Sequence, residues 1–188
     1  EKFMKNKQGI SLIVLIVTII VIIILAAAVI LTLNNNNPID SGRVAQLAEN
    51  RANINSAINL YYGKKMAETQ GIYDASQIFT ATGIDAKYSI SSLVKSTEIP
   101  TNFAAAYGNY KFLDTAAVKA ATDVQLPTIS GAEWYIDVNS GLVYLVYSDS
   151  TKVPSWMTTS DGMDQTLNEF VRVPKADNTT LTTVTVSK

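Results

Sequence analysis

The chain has 188 residues, 15 Lys+Arg against 16 Asp+Glu, a formal net charge of −1 and no His or Cys. Without Cys there is no disulfide, thiolate nucleophile or Cys metal ligand, and without His the commonest general base and transition-metal ligand are missing. The balanced charge offers no basic patch for nucleic acid, and these absences favour a non-enzymatic protein with no cofactor and no metal.

Residues 1–9 form a basic leader, with Lys2, Lys5 and Lys7 ending at Gly9. From Ile10 to Leu33 the chain carries no charge, Gly or Pro, and only Ser11, Thr18 and Thr32 are polar. At ~1.5 Å per residue, a helix over this segment would be about 36 Å long, enough for a hydrocarbon core of ~30 Å. Three readings of the segment stand side by side. Lysines, an apolar run and Ala26-Ala27-Ala28 fit a cleavable secretory signal. The length alone fits a permanent anchor with the lysines cytoplasmic. The third reading starts at the join, where the apolar run follows Gly9 with no polar spacer.

That join, Gly9-Ile10-Ser11-Leu12, resembles the processing site of type IV prepilins and pseudopilins. The resemblance covers about 30 residues and implies cleavage after Gly9 by a prepilin peptidase, with N-methylation of Ile10. It also implies a membrane-held precursor and assembly by pilus machinery into a helical homo-oligomer. The filament core would then contain Ile10, Ser11, Leu12, Val14, Ile16, Ile20, Ile23, Leu25 and Ile30. Localisation would run from the bacterial cytoplasmic membrane to the cell surface. The chain departs from the family at Val14, the fifth mature position, where an acid usually pairs with a neighbour's N-terminal amine. Ser11, Thr18 or a backbone carbonyl would have to receive the Ile10 amine instead.

Asn34 to Asn37 and Pro38 predict a polar break over 34–41, since Asn favours turns and Pro38 disfavours helix at Asn37. Asp40 or Ser41 can cap a second helix, roughly Gly42 to Glu68. Val44, Leu47, Ile54, Ile58 and Tyr61 give it one apolar stripe for a head domain over 42–188. Lys64 and Lys65 complement its dipole. Further along, Asp74 predicts a short helix through Phe79, and Ser89 or Ser91 caps another near Leu93. Tyr107 to Leu113 alternates as a strand, and Asp114 starts a helical turn through Ala121.

The stretch 133–148 predicts a hairpin around a three-residue loop, Asn139-Ser140-Gly141. That pairing puts Trp134, Ile136, Val138, Leu142, Tyr144 and Val146 on one face, against the second helix. The other face carries Glu133, Tyr135, Asp137, Val143, Leu145 and Tyr147, and is apolar enough to meet a neighbouring subunit. Leu181 to Ser187 reads as an edge strand or tail.

The expected fold is therefore α+β and pilin-like. A long hydrophobic N-terminal helix continues, after the break, into a second helix packed on a small antiparallel sheet. Glu133 and Asp137 read as solvated or subunit-facing charges rather than a catalytic pair. Asp161-Gly162-Met163-Asp164 reads as a turn, lacking the alternating acidic ligands of a calcium loop. Asn178-Thr179-Thr180 matches a glycosylation acceptor triplet. The function expected is a structural filament subunit. Its rivals are a minor pseudopilin of a secretion or DNA-uptake machine and a membrane-anchored extracytoplasmic binding domain.

Overall fold

The computed structural model describes residues 14–26, 38–74, 77–78, 83–95, 104–159 and 161–184. Contacts divide the chain into two units, Glu1–Gly42 and Arg43–Lys188.

In the first unit, helix α1 covers 14–26. The long N-terminal helix expected from the apolar run is corrected here. Thirteen residues span only ~20 Å, and no helix among the described residues is long and apolar enough to cross a membrane. All of 14–26 except Leu15, Leu25 and Ala26 is β-branched, and because restricted χ1 freedom lowers the helix propensity of such residues, packing rather than intrinsic preference has to stabilise α1. Residues 10–13 and 27–33 of the expected helix, and the break at 34–37, lie outside the described residues.

Helix α2 runs Pro38–Glu68. It begins four residues before the expected Gly42, because Pro is favoured at a first helical position, where its missing N–H is no loss. Its stripe lands as the spacing requires. Leu47, Ile54 and Ile58 are buried in the main core, with Val44 and Tyr61 packed against it. Lys65 in the last turn pairs with Glu68 at 2.9 Å.

After α2, local side-chain bonds set the short elements. Asp74 Oδ1 accepts the Gln77 N–H at 2.8 Å while Gln77 Oε1 accepts the Asp74 N–H at 3.0 Å, a reciprocal cap over the helical pair 77–78. Ser89 caps the 3-10 turn Ile90–Leu93 through the Ser91 N–H. Helix α3 is Ala104–Tyr107, occupying the start of the stretch expected as a strand, and strand β1 is only Tyr110–Phe112. Asp114 caps helix α4, Thr115–Thr122, through the Ala117 N–H at 2.8 Å.

Strands β2 (Ala132–Asp137) and β3 (Val143–Tyr147) form the expected hairpin. Strands β4 (Thr158–Thr159) and β5 (Gly162–Met163) pair separately, and helix α5 is Gln165–Asn168. Strands β6 (Val171–Pro174) and β7 (Leu181–Thr182) complete the main sheet, in the order β1-β2-β3-β6-β7. The sheet is mixed rather than antiparallel, since β3 and β6 are parallel at Leu145↔Val171 and Val146↔Arg172. The chain after β3 passes through β4, β5 and α5 before returning. Such a crossover permits parallel pairing, which a tight hairpin cannot.

Candidate assembly surfaces

The hairpin faces differ from the expected ones by a one-residue slip. Trp134 pairs with Leu145, Ile136 with Val143 and Ala132 with Tyr147. The Asp137 N–H donates to the Leu142 carbonyl at 3.0 Å, so the loop has four residues, Val138 to Gly141, instead of three. One added loop residue moves every side chain of β3 to the opposite face. Asp137 organises that loop. Its carboxylate accepts the Asn139 N–H at 3.0 Å and the Ser140 hydroxyl at 2.9 Å, which is turn chemistry rather than acid catalysis.

The helix-facing side of the sheet therefore carries Trp134, Ile136, Val143, Leu145 and Tyr147, clustered with Leu47, Ile54 and Ile58 of α2. The stripe also hides a cation. The Arg51 guanidinium stacks 5.0 Å from the Phe170 ring centroid, and its Nε donates to the Val143 carbonyl at 3.0 Å. Burial lowers its pKa, an effect opposed by Tyr144 and Glu169. Sequence spacing put Arg51 between apolar positions, but its place one turn from Leu47 and from Asn55 was the available signal.

The opposite face carries Tyr135, Tyr144 and Val146 beside Tyr110 and Phe112. The slip turns Val143, Leu145 and Tyr147 inward, so Glu133, Tyr135 and Asp137 are what remains of the expected subunit-facing set on this face. Its centre is instead closed by the chain itself, because Ala106 and Tyr107 of α3 and Leu181 of β7 pack on Tyr135 and Val146. Tyr107 and Tyr135 stack with centroids 5.0 Å apart. Burial raises both hydroxyl pKa values. Arg172 stacks 5.1 Å from the Tyr144 centroid and donates to the carbonyls of Asn168, Val171 and Glu169. Arg172 and Asp137 on this face are thus tied into neighbouring turns.

A cleft of about 470 Å³ lies beside β2, between Trp134 and the Pro127–Gly131 loop. Among the described residues lining it, Glu133 is the one ionisable side chain, so the cleft holds no carboxylate pair. Among the described residues, no group of three acidic side chains could hold a metal ion. Asp161 lies in the β4–β5 turn, and Asp164 caps α5 through the Thr166 N–H at 2.9 Å.

Surface left uncovered concentrates on α1. Its large apolar side chains from Val14 to Leu25 are all 47–64% exposed. At ~100° per residue these positions go completely round the helix, so exposed apolar side chains are found on every side of its described residues. Among the residues predicted for an assembly core, Ile16, Ile20 and Ile23 share one side of α1, and Val14 and Leu25 lie on the other. Thr18 donates its hydroxyl to the Leu15 carbonyl at 2.8 Å, leaving its oxygen able to accept from an amine. Gly9, Ile10, Ser11, Leu12 and Ile30 lie outside the described residues. Asn178 sits between β6 and β7, remote in the chain from α1, with its backbone at φ +55°. No family model, curated protein or solved structure matches the chain.

Proposed function

We propose that this chain is a pilin-like structural subunit of an extracellular helical filament, assembled through its apolar N-terminal segment, with the Arg43–Lys188 unit as its head. One observation carries the reading: α1 is apolar and about equally exposed on every side. An amphipathic helix covers one face of its own domain. A helix apolar all round is useful where every side meets a dry neighbour, first lipid and then copies of itself. Burying each Ile, Leu or Val side chain is worth roughly 1.5–3 kcal/mol against water, which holds the segment in dry surroundings at both stages, and because the lipid left behind offsets that gain, close packing between copies decides assembly. The basic residues ending at Gly9 support processing there, with a membrane-held precursor and release of Ile10 as the new N-terminus.

A second reading within the same class is a minor, tip-located pseudopilin. Val14 favours it, because a subunit with nothing beyond it has no neighbouring amine to pair with. N-terminal sequencing of native protein, together with its abundance in sheared surface material, tests both. Ile10 at the N-terminus of a dominant polymer supports the filament reading, and Ile10 on a scarce subunit supports the tip reading. Val29 at the N-terminus would identify ordinary signal cleavage and overturn both. An intact leader on a monomer held in lipid would identify a membrane-anchored binding domain instead.

A further inference from the structure

The turn joining β6 to β7 holds a motif that filament assembly does not use. Asn178-Thr179-Thr180 has the acceptor pattern for glycosylation, with no Pro between Asn and the second Thr. Two backbone bonds shape the turn: the Lys175 N–H donates to the Thr180 carbonyl and the Asn178 N–H donates to the Lys175 carbonyl, both at 2.9 Å. The left-handed backbone at Asn178 explains a preference for Asn there. It does not explain a Thr two residues later. Asp177 Oδ1 takes both the Thr179 N–H, at 3.1 Å, and the Thr179 hydroxyl, at 2.7 Å. Among the described residues, no hydrogen bond engages the Asn178 side-chain amide or the Thr180 hydroxyl. The turn is thus built from backbone, Asp177 and Thr179, while the two groups that an acceptor triplet needs are left over. Thr179 and Thr180 are exposed, and Asn178 is partly so.

We propose that Asn178 is a site of N-linked glycosylation, with a sugar carried on a phosphate or diphosphate leaving group as donor. The Asn178 Nδ2 forms a bond to the anomeric carbon as the bond from that carbon to the phosphate oxygen breaks. The phosphate leaves with the electron pair, and the amide proton passes to the transferase's base. The Thr180 hydroxyl helps present the amide in the acceptor conformation. The inference rests on the extracellular reading above, because acceptor triplets of this kind are used on surface loops of exported proteins.

The test is peptide mapping by mass spectrometry of protein purified from its source organism. The tryptic peptide from Ala176 to Lys188 is expected to carry a sugar mass. Asn178→Gln and Thr180→Ala should each remove it, and Thr180→Ser should retain it. The Thr180 variants leave the left-handed position untouched, so they separate lost acceptor chemistry from lost folding. An unmodified peptide overturns the proposal, as does a sugar mass that survives Asn178→Gln or Thr180→Ala. The N-terminal peptide from the same digest separates the two readings. Ile10 without sugar overturns glycosylation alone. Sugar without an Ile10 terminus supports glycosylation and counts against prepilin-type processing.

Discussion

The side-chain oxygen of Asn55 accepts the backbone N–H of Val143 at 2.8 Å, which places a helix side chain where a strand would otherwise pair. Strand β6 joins β3 only from Leu145 onward, so Val143 lies beyond its end. Arg51, one turn earlier on α2, donates to the carbonyl of the same residue at 3.0 Å. Together they satisfy both backbone groups of a buried residue, and they tie α2 to the first residue of β3.

Asn55→Ala is therefore expected to destabilise the protein by about 1–3 kcal/mol, the cost of leaving a buried N–H unpaired. Asn55→Asp keeps an acceptor oxygen and should lose less. Urea denaturation of both variants beside the parent checks this. Equal losses would show that the hydrogen bond is not what matters.

Gly131 should tolerate no side chain. Its φ is +77°, and an added Cβ would lie 2.9 Å from the Lys152 Cβ. Gly131→Ala is expected to cost about 1–3 kcal/mol, as for residues forced into a sparsely populated backbone region. Adding Lys152→Gly removes the contact but not the backbone strain, so it should recover only part of the loss in thermal melting. Full recovery would assign the whole cost to the clash.

Asp114→Ala removes the cap of α4, and the expected loss is about 1 kcal/mol. Asp114→Asn, which keeps an acceptor for the Ala117 N–H, should stay within a few tenths of the parent stability. A chemical denaturation series decides between them.

Alkaline stability should follow the buried tyrosines. Burial pushes the Tyr147 hydroxyl up to about 12, and that hydroxyl donates to the Met157 sulfur at 3.5 Å. The folded state holds this proton more tightly than the unfolded state. Its stabilisation is full below the ordinary tyrosine value of about 10 and is lost as pH rises from there through about 12. Melting temperatures measured across that window should fall, and Tyr147→Phe should make the fall shallower. Tyr107 and Tyr135, whose pKa values burial also raises, would keep some of it.

Ile20→Glu places a charge on α1 and changes no residue of the Arg43–Lys188 unit. If the filament reading is right, polymer disappears from surface shear fractions while head stability is unchanged. Polymer formed at parental yield would remove α1 from the assembly core.

Much of this molecule was legible in its residues. The caps at Asp74, Ser89 and Asp114, the α2 stripe and the existence of the β2–β3 hairpin all depend on groups a few residues apart. Local geometry determines them before the chain is compact. Tertiary structure decided the rest. The register of β3 turned on one loop residue, set by the Asp137–Leu142 and Asp137–Gly141 backbone bonds. Strand β6 was missed because its partner β3 lies across a long crossover, and Pro174 at its end reads as a turn residue. Self-coverage of the second sheet face needed α3 and β7, both distant in sequence from β2. The apolar run announced itself by composition, yet composition measures only how much surface avoids water. It does not determine how far one helix extends or what surrounds it, because those depend on backbone preference and on neighbours outside the segment.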